Sequence, residues 1–177
     1  MSTTTWKIDS AHSEIQFKVK HMMISTVTGG FAEFDASLSH ENEDLSNAKI
    51  SFSAQIASIT TGNEARDGHL ISADFFNAEK YPEINFVSTS FQKTEGNNFK
   101  LEGNLTLKSV TKLVILDVEY NGIQKDMYGQ TKAGFELSGA IKRKDFNLNW
   151  DSVTETGNLI LSDEVKLIAS VQFIKTT

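Results

Sequence analysis

The sequence predicts an all-β protein, an eight-stranded antiparallel β-barrel with a short helical insertion between its third and fourth strands. Three observations lead there. Eight runs of the chain alternate apolar and polar residues with period two, which is the pattern of a strand with one dry and one wet face. Most links between these runs are of hairpin length, and eight strands joined that way close into an up-and-down barrel without an unpaired edge. A two-layer sandwich is the alternative that the same pattern allows. Finally, one stretch, Ser58 to Pro82, does not alternate at all.

In order, Ile15, Phe17 and Val19 face one way against Glu14, Gln16, Lys18 and Lys20, with His21 in phase with the apolar side. Met22, Met23 and Ile24 follow as an apolar cluster, then Gly29-Gly30 as a break. Phe34, Ala36 and Leu38 form the second inward set, and the polar segment His40 to Asn47 reads as a hairpin loop with His40 solvated. Ile50, Phe52, Ala54 and Ile56 form the third. In the stretch that follows, Thr61-Gly62-Asn63-Glu64 reads as a capping box, with the Thr61 hydroxyl accepting from the Glu64 amide. A short helix then runs through Ala65 toward Leu70, weakened by Gly68. Ser72 is placed to cap a second turn carrying Asp74, Phe75 and Phe76, and Pro82 ends the insertion.

Ile84 and Phe86 open a fourth strand that continues to about Phe91, although Val87 and Phe91 fall on the opposite phase. Phe99, Leu101, Gly103, Leu105 and Leu107 alternate most cleanly of all. Val114, Leu116, Val118 and Tyr120 make the sixth strand, with Asn121-Gly122 as its turn. Ala133, Phe135, Leu137, Gly139 and Ile141 make the seventh, with Arg143 in phase, and Val165 to Phe173 the eighth.

A length of 177 residues suits one domain, spanning 1–177, with a sizeable buried core. The net charge of −6, without a basic run, excludes a nucleic-acid footprint. With no cysteine there is no disulfide and no thiolate-held zinc. No apolar run is long enough to span a membrane as a helix. The first residues carry no signal-peptide pattern, so a cytoplasmic protein is expected; a secreted form with its leader removed would look the same.

An eight-stranded barrel is just wide enough to be filled by its own side chains or to hold one small ligand. The inward set includes Ala36, Ala54, Gly103, Ala133, Gly139 and Ala169. Small residues of this kind either oppose large ones in a filled taper or leave a cavity, and the sequence leaves both open. A guest, if any, is apolar, since the inward positions hold few polar groups. The histidines show no metal spacing. Asp9, His12 and Ser13 share the residue types of a hydrolase triad, but so close together on extended chain they point apart and serve turn and strand entry. His21 reads as a satisfied core histidine. Arg143 needs a partner, for which Asp67, Asp74 and Asp145 are the candidates, unless it binds a polar head group at a cavity mouth.

Several pieces in order resemble one family. They are Asp9-x-x-His12-Ser13, Phe17-x-Val19-x-His21-Met22, Val27-Thr28-Gly29-x-Phe31, and the run from Ser58 through Thr61-Gly62-Asn63, Arg66-Asp67 and His69-Leu70. Asp74-Phe75-Phe76, Lys80-Tyr81-Pro82, Gly103-x-Leu105-Thr106-Leu107, Val110-Thr111-Lys112 and Arg143-x-Asp145-Phe146 continue the match. Together they resemble the YceI-like proteins. The resemblance implies a lipocalin-like barrel that binds a long isoprenoid chain or related amphipathic lipid, as a carrier or store, with no established catalytic residues, often in the periplasm and often as a dimer. Ser109 stands where the family usually has Gly, Leu113 where it has Pro, and Asn147 where it has Gly.

On these grounds the expected function is non-enzymatic binding, carriage or storage of an isoprenoid quinone, polyisoprenoid or fatty-acid derivative. No cofactor is expected beyond such a lipid, and a homodimer is possible. The expected ligand-binding residues are Phe17, Val19, His21, Phe34, Phe52, Ala54, Leu70, Phe75, Phe76, Phe86, Leu101, Leu105, Phe135, Leu137 and Arg143. The alternatives are an enzyme acting on a lipid in the barrel through His21 or Arg143, and a stress-response interaction protein with a filled barrel.

Overall fold

Alternation turns into eight staves, three of them broken. The computed structural model describes residues 2–149 and 161–176. The first stave is β1 (Thr4–Ile8) and β2 (Glu14–His21), interrupted by a 3₁₀ turn at Ser10–His12; the second is β3 (Ser25–Phe31) and β4 (Phe34–His40). The third is β5 (Lys49–Gln55), continued by the short β6 (Ile59–Thr60). Then come β7 (Glu83–Lys93), β8 (Asn98–Leu107), β9 (Val110–Lys125), β10 (Thr131–Lys142) and β11 (Leu161–Lys175). Each pairs antiparallel with its neighbour, and β11 closes the circle against both halves of the first stave, Phe173 opposite Ile8 and Leu167 opposite Phe17. The result is a closed eight-stranded antiparallel barrel, the predicted architecture.

The sequence reading departs from this in four places. β1 and β3 are strands, and Gly29-Gly30 lies inside β3 and not at a break. Gly29 is there because the Phe17 ring occupies the space a Cβ would take. In β7 the pairing shifts between Ser88 and Ser90, a β-bulge that returns Phe91 to the interior while Val87 stays outside, which resolves the conflicting phase. Asn121-Gly122 is not a turn. It lies within β9, where Gly134 pairs Gly122 but Phe135 pairs Tyr120, so Asn121 is a bulged residue and Gly122 takes a φ of 99°. The hairpin turn comes later, at 126–130. Finally, His40 is the last residue of β4 and is half-buried. Its Nε2 accepts from the Trp6 indole N–H at 2.9 Å.

The insertion is helical, with a different cap from the one expected. Helix α1 (Glu64–Ile71) starts at Asn63, whose side chain accepts from the Arg66 amide. Thr61 Oγ1 instead donates to Asp67 Oδ1 at 2.6 Å and accepts from Arg66 Nε at 2.7 Å. Ser72 accepts from the Asp74 amide, and the segment beyond it forms turns and no second helix.

The two barrel ends differ. The β2–β3 hairpin, α1 and the 3₁₀ turn Arg143–Phe146 lie toward one end. At the other end Lys132 Nζ donates to Asp9 Oδ2 at 2.9 Å and lies 3.5 Å from Asp126, tying β10 to the first stave. The hydrogen bond from Lys132 holds the Asp9 carboxyl below its ordinary range, and Asp9 in turn raises Lys132.

Candidate functional site: an apolar cavity in the barrel

Inward side chains do not fill the barrel. They enclose about 260 Å³, against the roughly 10–15 Å³ that one water needs. Among the described lining residues the only side chains with polar groups are Gln16, Ser138 and Arg143. The walls come from every stave: Phe17 and Val19 of β2, Phe52 of β5, Phe86 of β7, Leu101 and Leu105 of β8, Phe135 and Leu137 of β10. The insertion supplies Leu70, Phe75 and Phe76. Of the residues the sequence points to, these and Arg143 line the space. His21, Phe34 and Ala54 do not. Ala54 is buried in the core beside the cavity, and His21 sits half-buried at the rim, paired with Ser25.

The inward glycines explain how bulky residues leave room. A Cβ on Gly103 would collide with the Phe86 ring, and one on Gly139 with Leu116. The neighbour lies flat against the wall where the glycine has no side chain, so the lumen stays clear. Beyond one end of the cavity the core is dense: Trp6, Phe99 and Ala133 are buried without lining the space, and Phe91 stacks on Phe99 with centroids 4.6 Å apart. The cavity therefore has an aromatic floor and a helical cover.

Arg143 is 3% exposed. Its Nε donates to the Ser162 carbonyl at 2.9 Å, Nη1 to that of Leu148 at 2.7 Å and Nη2 to that of Leu161 at 3.2 Å. Of the expected carboxylate partners, Asp67 holds Thr61 and Asp74 lies 2.9 Å from His69 Nε2, and among the described residues no ion pair joins Arg143 to Asp145. Arg143 thus staples chain segments at the cavity wall, while Asp67 and Arg66 tie α1 to Thr61 and its Leu70 and Ile71 pack against the core. Asp9 and His12 do meet, at 2.8 Å, but Ser13 Oγ turns away to accept from the Gln172 amide, which is strand-entry chemistry and no triad.

Sequence reasoning missed Ile8, Phe31, Phe91, Leu148 and Leu161 as lining residues. Ile8 and Phe31 belong to the unrecognised strands, and the bulge hid Phe91. For Ile8 the signal was present but short, in the alternation of Trp6, Lys7 and Ile8. Among the described residues no group of three or more His, Asp or Glu is placed to hold a metal ion.

The rim carries one further feature. The β2–β3 hairpin turns through Met22 and Met23 at φ of 53° and 60°, with the Ile24 amide donating to the His21 carbonyl. Asn and Gly usually occupy such a turn. A side chain in this left-handed region costs about 1 kcal/mol or more per residue, and these side chains point into solvent.

Known proteins share both sequence and barrel. The chain is 37% identical over 171 residues to a UPF0312 protein of Staphylococcus aureus strain MSSA476, covering 96% of this chain and 97% of that one. It is 40% identical over the same shares to a UPF0312 protein of Staphylococcus epidermidis. The crystal structure of the Campylobacter jejuni YCEI protein superposes with a TM-score of 0.76 at 36% identity, covering 89% of this chain and 90% of that one. Burkholderia cenocepacia BcnA has the same fold, with a TM-score of 0.81 at 24% identity and coverage of 93% and 98%. A polyisoprenoid-binding domain from Saccharophagus degradans, implicated in plant cell wall breakdown, shares the fold at a TM-score of 0.66 and 13% identity, covering 97% and 98%. The YceI-like domain model matches residues 6–173, and the chain belongs to the YceI-like family.

Proposed function

We propose that this barrel binds a long apolar amphiphile, an isoprenoid quinone, polyisoprenoid or fatty-acid derivative, and carries or stores it without catalysis. The observation that carries the reading is the cavity, about 260 Å³ lined almost wholly by aliphatic and aromatic side chains. Magnitudes favour an apolar guest. Each buried methylene contributes about 0.8 kcal/mol, so roughly five of them outweigh the net worth of two or three neutral hydrogen bonds at about 1 kcal/mol each. Family membership fits binding, and the same fold serves a polyisoprenoid-binding domain in S. degradans.

An enzyme working through His21 or Arg143 is less well supported, because His21 stays outside the cavity lining and Arg143 spends its described hydrogen bonds on carbonyls. A filled barrel is not what the cavity volume describes. Homodimer formation and a cytoplasmic location belong to the same proposal and are read by light scattering and cell fractionation.

The test is organic extraction of the purified protein followed by mass spectrometry, with uptake of ubiquinone and of a fatty amide measured in parallel. A co-purifying apolar chain or stoichiometric uptake is expected. No extractable lipid and no uptake of either probe would sink the reading.

A further inference from the structure

We infer that the β2–β3 hairpin tip, Met22-Met23-Ile24, docks the helix-covered end of the barrel on an anionic lipid surface, where the guest is exchanged. The inference rests on the reading of the cavity as the holder of an apolar chain.

Four observations converge. The tip is apolar and bare: Met22 is 40% exposed, Met23 63% and Ile24 82%. The two methionines stand at positive φ, where the turn itself would favour Asn or Gly, so local folding does not account for them. The tip belongs to the same barrel end as the cavity's cover of Leu70, Phe75 and Phe76, since His21 at its base pairs with Leu161 of the lining. The wall beneath it is basic: Lys18 and Lys166 are direct cross-strand partners, with Lys20 one strand position beyond on the same face and Glu164 as the acidic neighbour. Like charges paired across strands are unfavourable by themselves, and an anionic surface relieves them.

The dimensions agree. A strand rises about 3.3 Å per residue, so Lys20 lies within about 10 Å of the tip. Interfacial segments bury their apolar side to about 5–10 Å, which leaves Lys20 at headgroup depth. A membrane is the occupant that the cavity itself calls for. Its guest loses about fourfold in aqueous solubility for each exposed methylene, so exchange through water is slow and exchange at a bilayer is direct.

A second apolar tip, Met127 and Tyr128 at 87% and 83% exposure, lies at the opposite barrel end and provides the control. Flotation of the full chain with phosphatidylcholine–phosphatidylglycerol vesicles reads docking without reference to the cavity. Uptake of a pyrenyl alkane delivered from ethanol reads the cavity without reference to docking. The wild type is expected to float with these vesicles, less with phosphatidylcholine alone and less at high salt. Met22→Ser/Met23→Ser/Ile24→Ser is expected to lose about tenfold or more in vesicle affinity while keeping its thermal midpoint and its uptake from ethanol. Met127→Ser/Tyr128→Ser is expected to float like the wild type, and Lys18→Gln/Lys20→Gln/Lys166→Gln to lose the salt dependence. Failure of the wild type to float, or flotation of the triple serine variant equal to it, overturns docking and leaves the cavity standing. Flotation without uptake overturns the cavity reading and with it the role given to docking.

Discussion

Arg143 shows that a residue's type does not by itself name its partners. A buried guanidinium in phase with an apolar strand reads from sequence as half of an ion pair or as a head-group binder. Among the described residues it donates to three carbonyls, those of Leu148, Leu161 and Ser162. Arg143→Met removes those donors and is expected to cost about 1–3 kcal/mol per carbonyl left unsatisfied and dry, read as a lower urea midpoint. Uptake of apolar probes by the fraction that stays folded should be unchanged. Lost uptake at full stability would restore the head-group role. Leu105→Asp and Phe52→Asp place a carboxylate in the apolar wall, and loading or folding should be lost in both. Full stability with full uptake would show that the inner face has been assigned wrongly. Positive-φ positions give a prediction of opposite sign. Ser109 stands at φ 63° and Asn147 at φ 62°, where the family usually has Gly. Ser109→Gly should raise stability by about 0.5–1 kcal/mol, and Asn147→Gly by less, since Asn tolerates this region. Chemical denaturation checks both.

At the scale of elements, the strands that the sequence revealed were those with unbroken alternation and a dry face, such as β8, where Phe99, Leu101, Leu105 and Leu107 are all buried. Irregular elements were harder to see. A bulge inserts a residue without any compositional mark, so the inward Phe91 and the outward Val87 looked inconsistent until pairing fixed both. Asn121-Gly122 has the composition of a turn but is spent on a bulge, because pairing with β10 continues on either side of it, at Tyr120 and from Gly122 to Lys125, and outweighs local preference. The cavity lining was legible wherever it followed strand phase. Leu148 and Leu161 were not, since their place depends on what the chain does around Arg143. In α1 the cap fell on Asn63 once Thr61 was engaged by Asp67 and Arg66. Asn63→Ala should therefore cost about 1 kcal/mol, measured by thermal unfolding, and Glu64→Ala much less. Equal losses would return the capping box to favour.

The whole molecule is locked at its floor by a bridge between the first stave and β10. Asp9 is held below its usual value by Lys132, so its contribution is complete above about pH 3.8, its unfolded value, and is lost as pH falls through the lower folded one. Lys132 is raised, so its share is complete below about pH 10.5 and is lost as pH rises through its higher folded value. Lys132→Met should flatten the stability profile at both extremes, whereas Asp9→Asn should flatten the acid limb and weaken the alkaline one. An unchanged profile for Lys132→Met would show that the bridge contributes nothing.

Closure by β11 also sets the order of events during folding. Strands far apart in sequence meet here, with the Thr176 amide donating to the Thr5 carbonyl, and β11 pairs with both β1 and β2. On the ribosome the first stave must therefore wait, its edge unpaired, until β11 has been made. Such a distant pairing places refolding in the millisecond-to-second range of barrels dominated by non-local contacts. It also makes the nascent β2 edge the part of the molecule most in need of protection while synthesis is under way.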